Sequence, residues 1–244
     1  MSPEASAPHH AGRQSGTEGA AGARSLAAPS GTCYLVCAGV HYASPPLPGP
    51  DDLTIAVDGG WAYLQTLGRS ADLLVGDLDS LTEFEQGAED LPADLPLVQL
   101  PVEKDQTDTK AALRQGQARG YRRFCIYGGS GGRLDHTIAN LGCLASLAEA
   151  GDRGWLVADD QIVTAIHNDS LSLPAATEGI VSVFAYGGPA QGVSIKGLKY
   201  ELDGATLNCG YSLAVSNQLI GQPAIIEVAS GTLLVVYPAA LGLI

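Results

Sequence analysis

A chain of 244 residues with 45% hydrophobic and only 16% charged residues has enough apolar surface to build a core, which excludes wholesale disorder. Its formal net charge of −13 repels nucleic-acid phosphates and no basic stripe offsets it, so binding to DNA or RNA is disfavoured. The five cysteines, Cys33, Cys37, Cys125, Cys143 and Cys209, form no CxxC pair and read as free thiols in a reducing cytoplasm, not as a zinc or disulfide framework.

Residues 1–30 are rich in Ala, Gly, Ser and Pro and predict a disordered tail. They lack the apolar run of a secretory signal, and no segment approaches the ~18 apolar residues of a membrane span. Residues 32–38 predict a buried strand, with Cys33 and Cys37 packing on one side of it as small hydrophobes. The Pro-rich stretch 44–50 predicts a loop. Strands follow at 53–57, 72–75, 97–100 and 123–127, and helices at 60–67, 107–119 and 134–150. The last helix is the clearest, since Ile138, Leu141, Leu144, Ala145 and Ala148 follow the helical period. Residues 155–158 and 162–166 add strands joined by a tight turn. Apolar strands alternating with helices predict an α/β layer with a largely parallel sheet over residues 31–170.

Beyond a boundary expected near 167–179 the pattern changes. Short β-type runs at 180–185, 193–195, 204–207, 224–229 and 232–237 are separated by Gly, Pro and Asn, with no convincing helix. Residues 171–244 therefore predict a small all-β sandwich domain.

Four polar clusters each follow a predicted strand: Asp58-Gly59-Gly60, Gly76-Asp77-Leu78-Asp79-Ser80, Lys104-Asp105-Gln106-Thr107-Asp108, and the run Gly128-Gly129-Ser130-Gly131-Gly132-Arg133-Leu134-Asp135-His136. In parallel sheets ligands sit outside the carboxyl ends of the strands, so one site could collect all four. Asp77 and Asp79, two apart in extended chain, face the same way and can grip one cation. Asp105 is a plausible N-cap with Asp108 in the first helical turn. Lys104 beside them could contact a phosphate. The glycine loop exposes backbone N–H groups that suit phosphate oxygens, and Arg133 adds a fork of the same preference. It is neither a Walker A loop nor a GxGxxG fingerprint. Each cluster alone has a plainer reading. Asp58 fits a strand-end turn, Asp77 a turn, Asp105 a cap and His136 a helix-start hydrogen bond, while Trp61 and Trp155 read as packing residues.

The ordered set resembles the thiamine pyrophosphokinase family, whose members carry DGG, GDxDS, KDxTD and GGRxDH in this order. The likeness continues into residues 192–200 (GVSIKGLKY) and Val215-Ser216-Asn217, and covers about residues 32–237. Trp61 stands where a small residue is commoner and Leu78 where Phe is common. A tryptophan that some relatives stack on the vitamin has no clear equivalent near residues 233–236.

The resemblance implies pyrophosphoryl transfer from ATP to the hydroxyl of thiamine, with Mg2+, in a homodimer whose thiamine pockets are completed by the partner's β domain. It implies metal positions at Asp77, Asp79, Asp105 and Asp108. Nucleotide positions fall at Asp58, Gly59, Gly60, Lys104, Gly128, Gly129, Gly131, Gly132, Arg133 and Asn140. Asp135, His136, Ser216 and Asn217 match positions near the vitamin, and Asp79, Asp108, Arg133 and Asp135 the catalytic set. A pyrophosphokinase acting on a pterin alcohol, a magnesium phosphohydrolase and a non-catalytic nucleotide-binding module are the alternatives.

Overall fold

The computed structural model describes residues 30–77, 91–101 and 105–244. The expected tail, apart from Ser30, and the site candidates Asp79 and Lys104 lie outside the described residues.

Strands β1 (Cys33–Val36), β2 (Leu53–Val57), β3 (Leu73–Gly76), β4 (Leu97–Gln99), β5 (Arg123–Tyr127) and β6 (Arg153–Val157) form a parallel sheet in the order β4-β3-β2-β1-β5-β6. Strands β1, β2, β3, β5 and β6 are nearly continuous apolar runs because both faces are covered. One face carries α2 (Asp108–Ala118) and α3 (Leu134–Glu149), whose Ala112, Leu113, Leu144 and Leu147 pack on Cys33, Leu35, Cys37, Phe124 and Ile126. On the other face, α1 (Gly60–Thr66) buries Trp61 and Leu64 against Val36, Ala56 and Leu74. Trp61 and Trp155 are both core residues, as expected.

The remaining strands are β7 (Gln161–His167), β8 (Ser170–Leu173), β9 (Ile180–Lys196), β10 (Leu202–Leu207), β11 (Asn217–Gln218), β12 (Ala224–Glu227) and β13 (Ser230–Pro238). From the β6–β7 pair onward every pairing is antiparallel, and the hydrogen-bonded path continues β6-β7-β13-β9-β12-β8. The fold is thus α/β, parallel in its N-terminal strands and antiparallel later.

Two expectations need correction. The runs at 180–185 and 193–195 are one strand, β9, of 17 residues. Gly187, at φ +75°, bends the chain instead of reversing it, so the first part of β9 pairs with β13 and the later part with β10 and β12. The expected boundary segment 167–179 contains a strand, β8, whose four residues are too short to signal themselves by alternation. The two halves also share a core. Tyr34, Cys125 and Trp155 of the parallel strands pack in one cluster with Val181, Val183, Ile195, Leu233 and Tyr237. The last residues close that cluster: the Trp155 indole N–H donates to the main-chain oxygen of Ile244 (3.1 Å), and the Tyr237 hydroxyl donates to Gly242 (3.1 Å).

Candidate active site

A cleft of about 370 Å³ opens at the carboxyl edge of the parallel strands. Asp58, Asp108, Gly128, Gly129, Gly132, Arg133, His136 and Asn140 line it, so three of the four sequence clusters meet there. The fourth reaches the same rim through Gly76. The Asp58 N–H donates to Val75 (2.9 Å), and a Cβ on Gly76 would stand 3.1 Å from the Asp58 Cα, which sets Asp77 at the strand end beside Asp58.

Asp58 follows the last residue of β2 with φ +50°, a left-handed conformation that Asp tolerates better than most residues. That twist starts α1 within two residues, and Gly60 lets the helix approach the Val36 carbonyl where any side chain would collide. Asp108 is the first residue of α2, but the N-cap is Thr107, not Asp105. The Thr107 hydroxyl accepts from the Lys110 N–H (3.3 Å), and its extended backbone marks where the helix begins. Asp105 is exposed two residues before the cap and does not line the cleft. Among the described residues no group of three potential ligands is assembled closely enough to hold a metal by itself.

The glycines divide by purpose. A Cβ on Gly128 would lie 2.5 Å from the Cys37 carbonyl oxygen, one on Gly129 2.6 Å from Leu156, and one on Gly131 2.7 Å from Val40. Gly128 and Gly131 also have φ of +63° and +77°. These three are demanded by the protein's own packing. Gly132 meets only the Gly39 Cα at 3.6 Å, which leaves its backbone open on the cleft. The buried Asn140 amide donates to the Gly129 carbonyl (2.8 Å) and so holds the loop.

Arg133 immediately precedes α3. Its guanidinium grips Asp135 through two bonds, Nε to Oδ1 (3.2 Å) and Nη2 to Oδ2 (2.6 Å). The Arg133 hydrogen bond holds the Asp135 carboxyl below its ordinary pKa against the opposing effect of desolvation, with a lesser contribution from the His136 N–H. Both side chains are solvent-exposed, so the pair is an orienting device more than a source of stability. The start of α3 faces the cleft at Arg133, His136 and Thr137, which adds the positive end of a helix dipole.

Sequence reasoning missed the loop after β1. Cys37, Ala38 and Gly39 line the cleft, as do Thr109 and Ser130. Cys37 and Gly39 donate to Tyr127 and Gly128 (both 2.8 Å), and Val40 donates to Ser130 (2.9 Å), so residues 37–40 extend the β1–β5 ladder into the glycine loop. The parallel β1–β5 pairing was the missing signal, since it alone makes these segments neighbours. Burial pushes the Cys37 thiol up to about 12, so it is cleft floor and not a nucleophile.

Ser216 and Asn217 lie elsewhere. The buried Asn217 side chain accepts from the Tyr200 N–H (2.9 Å) and donates to the Tyr200 carbonyl (2.6 Å), and it also accepts from Gln218 (2.9 Å). It is a clamp on the segment 198–200 and presents nothing to a ligand. Ser216 is exposed, with φ +58°, and its N–H donates to the Ser182 hydroxyl (3.0 Å). Ser182 belongs to a transverse row of paired residues, Ser182–Val236–Val163–Leu156–Ile126. Four strand spacings, roughly 19 Å, thus separate Ser182 from the strand that carries the glycine loop.

Two family models match this chain. "Thiamin pyrophosphokinase, catalytic domain" matches residues 49–153 and "Thiamin pyrophosphokinase, vitamin B1 binding domain" matches residues 170–233. The thiamine pyrophosphokinase of Bacillus subtilis (strain 168) is 26% identical over 210 residues, spanning 84% of this chain and 97% of the relative. The crystal structure of the Bacillus subtilis thiamine pyrophosphokinase superposes with a TM-score of 0.73 at 23% identity, covering 85% of this chain and 98% of that one. The Geobacillus thermodenitrificans thiamin pyrophosphokinase superposes with a TM-score of 0.72 at 24% identity, covering 87% and 100%.

Proposed function

Since the chain belongs to the thiamine pyrophosphokinase family, an ATP-dependent transferase, we propose that the rim cleft is where it moves pyrophosphate from ATP to the hydroxyl of thiamine. The observation that carries this reading is the meeting of Asp58, Asp108, the glycine loop and Arg133 in one cleft at the strands' carboxyl edge. The hydroxyl oxygen attacks the β-phosphorus. The bond from that phosphorus to the α–β bridging oxygen breaks, and AMP leaves with that oxygen. The hydroxyl proton passes to a carboxylate or to solvent. The open Gly132 backbone and the α3 N-terminus receive phosphate oxygens, and Arg133 stabilises charge growing on them. Holding both substrates in line can lower the barrier by ~7–11 kcal/mol, so no strong base is obligatory.

The carboxylates are hard oxygen donors beside a phosphate cradle, which fits magnesium arriving on ATP and keeping several waters. In this reading Asp77, Asp79 and Asp108 would hold it, and it would supply charge neutralisation on the phosphates. The catalytic set is Asp79, Asp108, Arg133 and Asp135. Residues 31–170 serve the nucleotide, and residues 171–244 serve the vitamin. The need for ATP and the free thiols fit the cytoplasm.

The separation of Ser216 from the cleft supports a homodimer. A thiamine held at Ser216 of one chain is too far along the sheet from that chain's own glycine loop. Leu134 (73%) and Ile138 (55%) of α3 and Ile180 and Phe184 of β9 are exposed apolar residues fit to meet a second copy. Light scattering that reads the mass of one chain overturns this element.

Incubation with ATP, magnesium and thiamine, read by mass spectrometry, tests the reaction. AMP with thiamine diphosphate is the expected product pair. ADP with thiamine monophosphate, preference for a pterin alcohol, or phosphate release without an acceptor each overturns it.

A further inference from the structure

The segment after β1 is fixed at both of its sides. On one side it is zipped to the glycine loop through Gly39 and Val40. On the other it is docked on α1. The His41 imidazole lies flat on the Tyr63 ring, with centroids 3.4 Å apart and planes 9° from parallel. The Tyr63 hydroxyl bonds the Ser44 hydroxyl (3.2 Å), and the Arg69 guanidinium donates to the Pro45 carbonyl. The same imidazole also packs close to Gly128, where a Cβ would stand 2.6 Å from His41 Cε1 and 2.8 Å from Nε2. One ring therefore touches both the helix that follows Asp58 and the glycine that opens the phosphate loop. Both ring nitrogens are shielded from solvent.

We infer that His41 is a positioning residue for ATP: its ring, packed against both Tyr63 and Gly128, sets the glycine loop against α1 and so fixes the phosphate cradle. In this role it acts through the glycine loop and not on a substrate atom. The planar shape of the ring is what matters, and its proton is not used. The inference rests on the cleft being the ATP site.

The test compares full-length wild type with His41→Ala, His41→Phe, Tyr63→Leu and the double variant His41→Ala/Tyr63→Leu. Initial rates, calorimetric titration with ATP and magnesium, and thermal melts are measured. His41→Ala is expected to raise both the KM and the Kd for ATP about tenfold, the size of one aromatic stack, with kcat within about threefold and the thiamine KM unchanged. His41→Phe keeps a flat ring and restores ATP binding to within about twofold. The double variant is no worse than either single change, because both remove one contact. Should His41→Phe be as impaired as His41→Ala, the imidazole nitrogens are needed and the positioning role is overturned. A lowered melting temperature with unchanged ATP affinity also overturns it, leaving a purely structural stack. If His41→Ala does not fold, Tyr63→Leu carries the same ATP-binding comparison. A wild type that binds ATP but makes no thiamine diphosphate overturns the functional reading instead, while the calorimetry still decides the role of His41.

Discussion

The two halves of the molecule use similar-looking polar residues for opposite ends. In the parallel half, Asp58, Asp108, Arg133 and His136 stand where strands stop or helices start, and their side chains face a cleft. In the antiparallel half, Asn217 looks like a ligand residue in the sequence but spends its amide on the Tyr200 backbone. The difference is topological. Parallel strands release the chain at one edge, so polar groups gather there without breaking a ladder. Meandering antiparallel strands must close their own irregular corners, and buried amides do that work. The glycine loop repeats the contrast in miniature: Gly128, Gly129 and Gly131 answer to packing, Gly132 to the cleft.

The sharpest way to break this comparison is Asp108→Ala. In the cleft reading kcat falls by about three orders of magnitude, roughly 4 kcal/mol, while the helix loses at most ~1 kcal/mol of dipole stabilisation. Steady-state assay beside circular dichroism checks it, and unfolding would make Asp108 architectural. Next come the glycines. Gly128→Ala forces a left-handed alanine into the Cys37 carbonyl and is expected to cost about 3 kcal/mol, read by chemical denaturation. Gly132→Ala has room, so stability stays within ~0.5 kcal/mol while the KM for ATP rises. Equal destabilisation of the two variants would erase the division.

Asn217→Ala strips three hydrogen bonds from a buried corner and is expected to cost about 2 kcal/mol, roughly 4–8 °C of melting temperature. A raised thiamine KM with no loss of stability would instead place Asn217 with the ligand residues. The smallest effect concerns pH. Burial holds the His41 imidazole below its ordinary pKa, partly opposed by the nearby Cys37 carbonyl. The unfolded chain takes up that proton near pH ~6.5, the folded chain only at lower pH. Stability from this site is therefore complete above about pH 6.5 and declines as pH falls through the window toward the folded value. Denaturation midpoints across that window should slope downward on the acid side for wild type and less so for His41→Phe.

Much of the α/β half was legible, because long apolar runs and a strong helical period report local structure directly. The expected helix over 134–150 is α3, and the strand expected over 123–127 is β5. Capping was read less well: Asp105 and Thr107 are both good caps by residue type, and only the backbone turn at Thr107 chose between them. The brace formed by residues 37–45 was invisible, since Pro and Gly signal a loop but not what the loop leans on. In the β half, alternation located the strands but not the bend at Gly187 that merges two of them.

By itself the order of residues determined the elements, the family and the chemical types available, because propensity, periodicity and motif spacing are properties of neighbours along the chain. Tertiary structure alone decided that Asp58, Asp108 and Arg133 share a cleft, that Gly132 is the loop's open glycine, and that Asn217 is a clamp. Those outcomes depend on which strands pair and which faces pack. Such contacts join residues tens of positions apart, and no local preference encodes them.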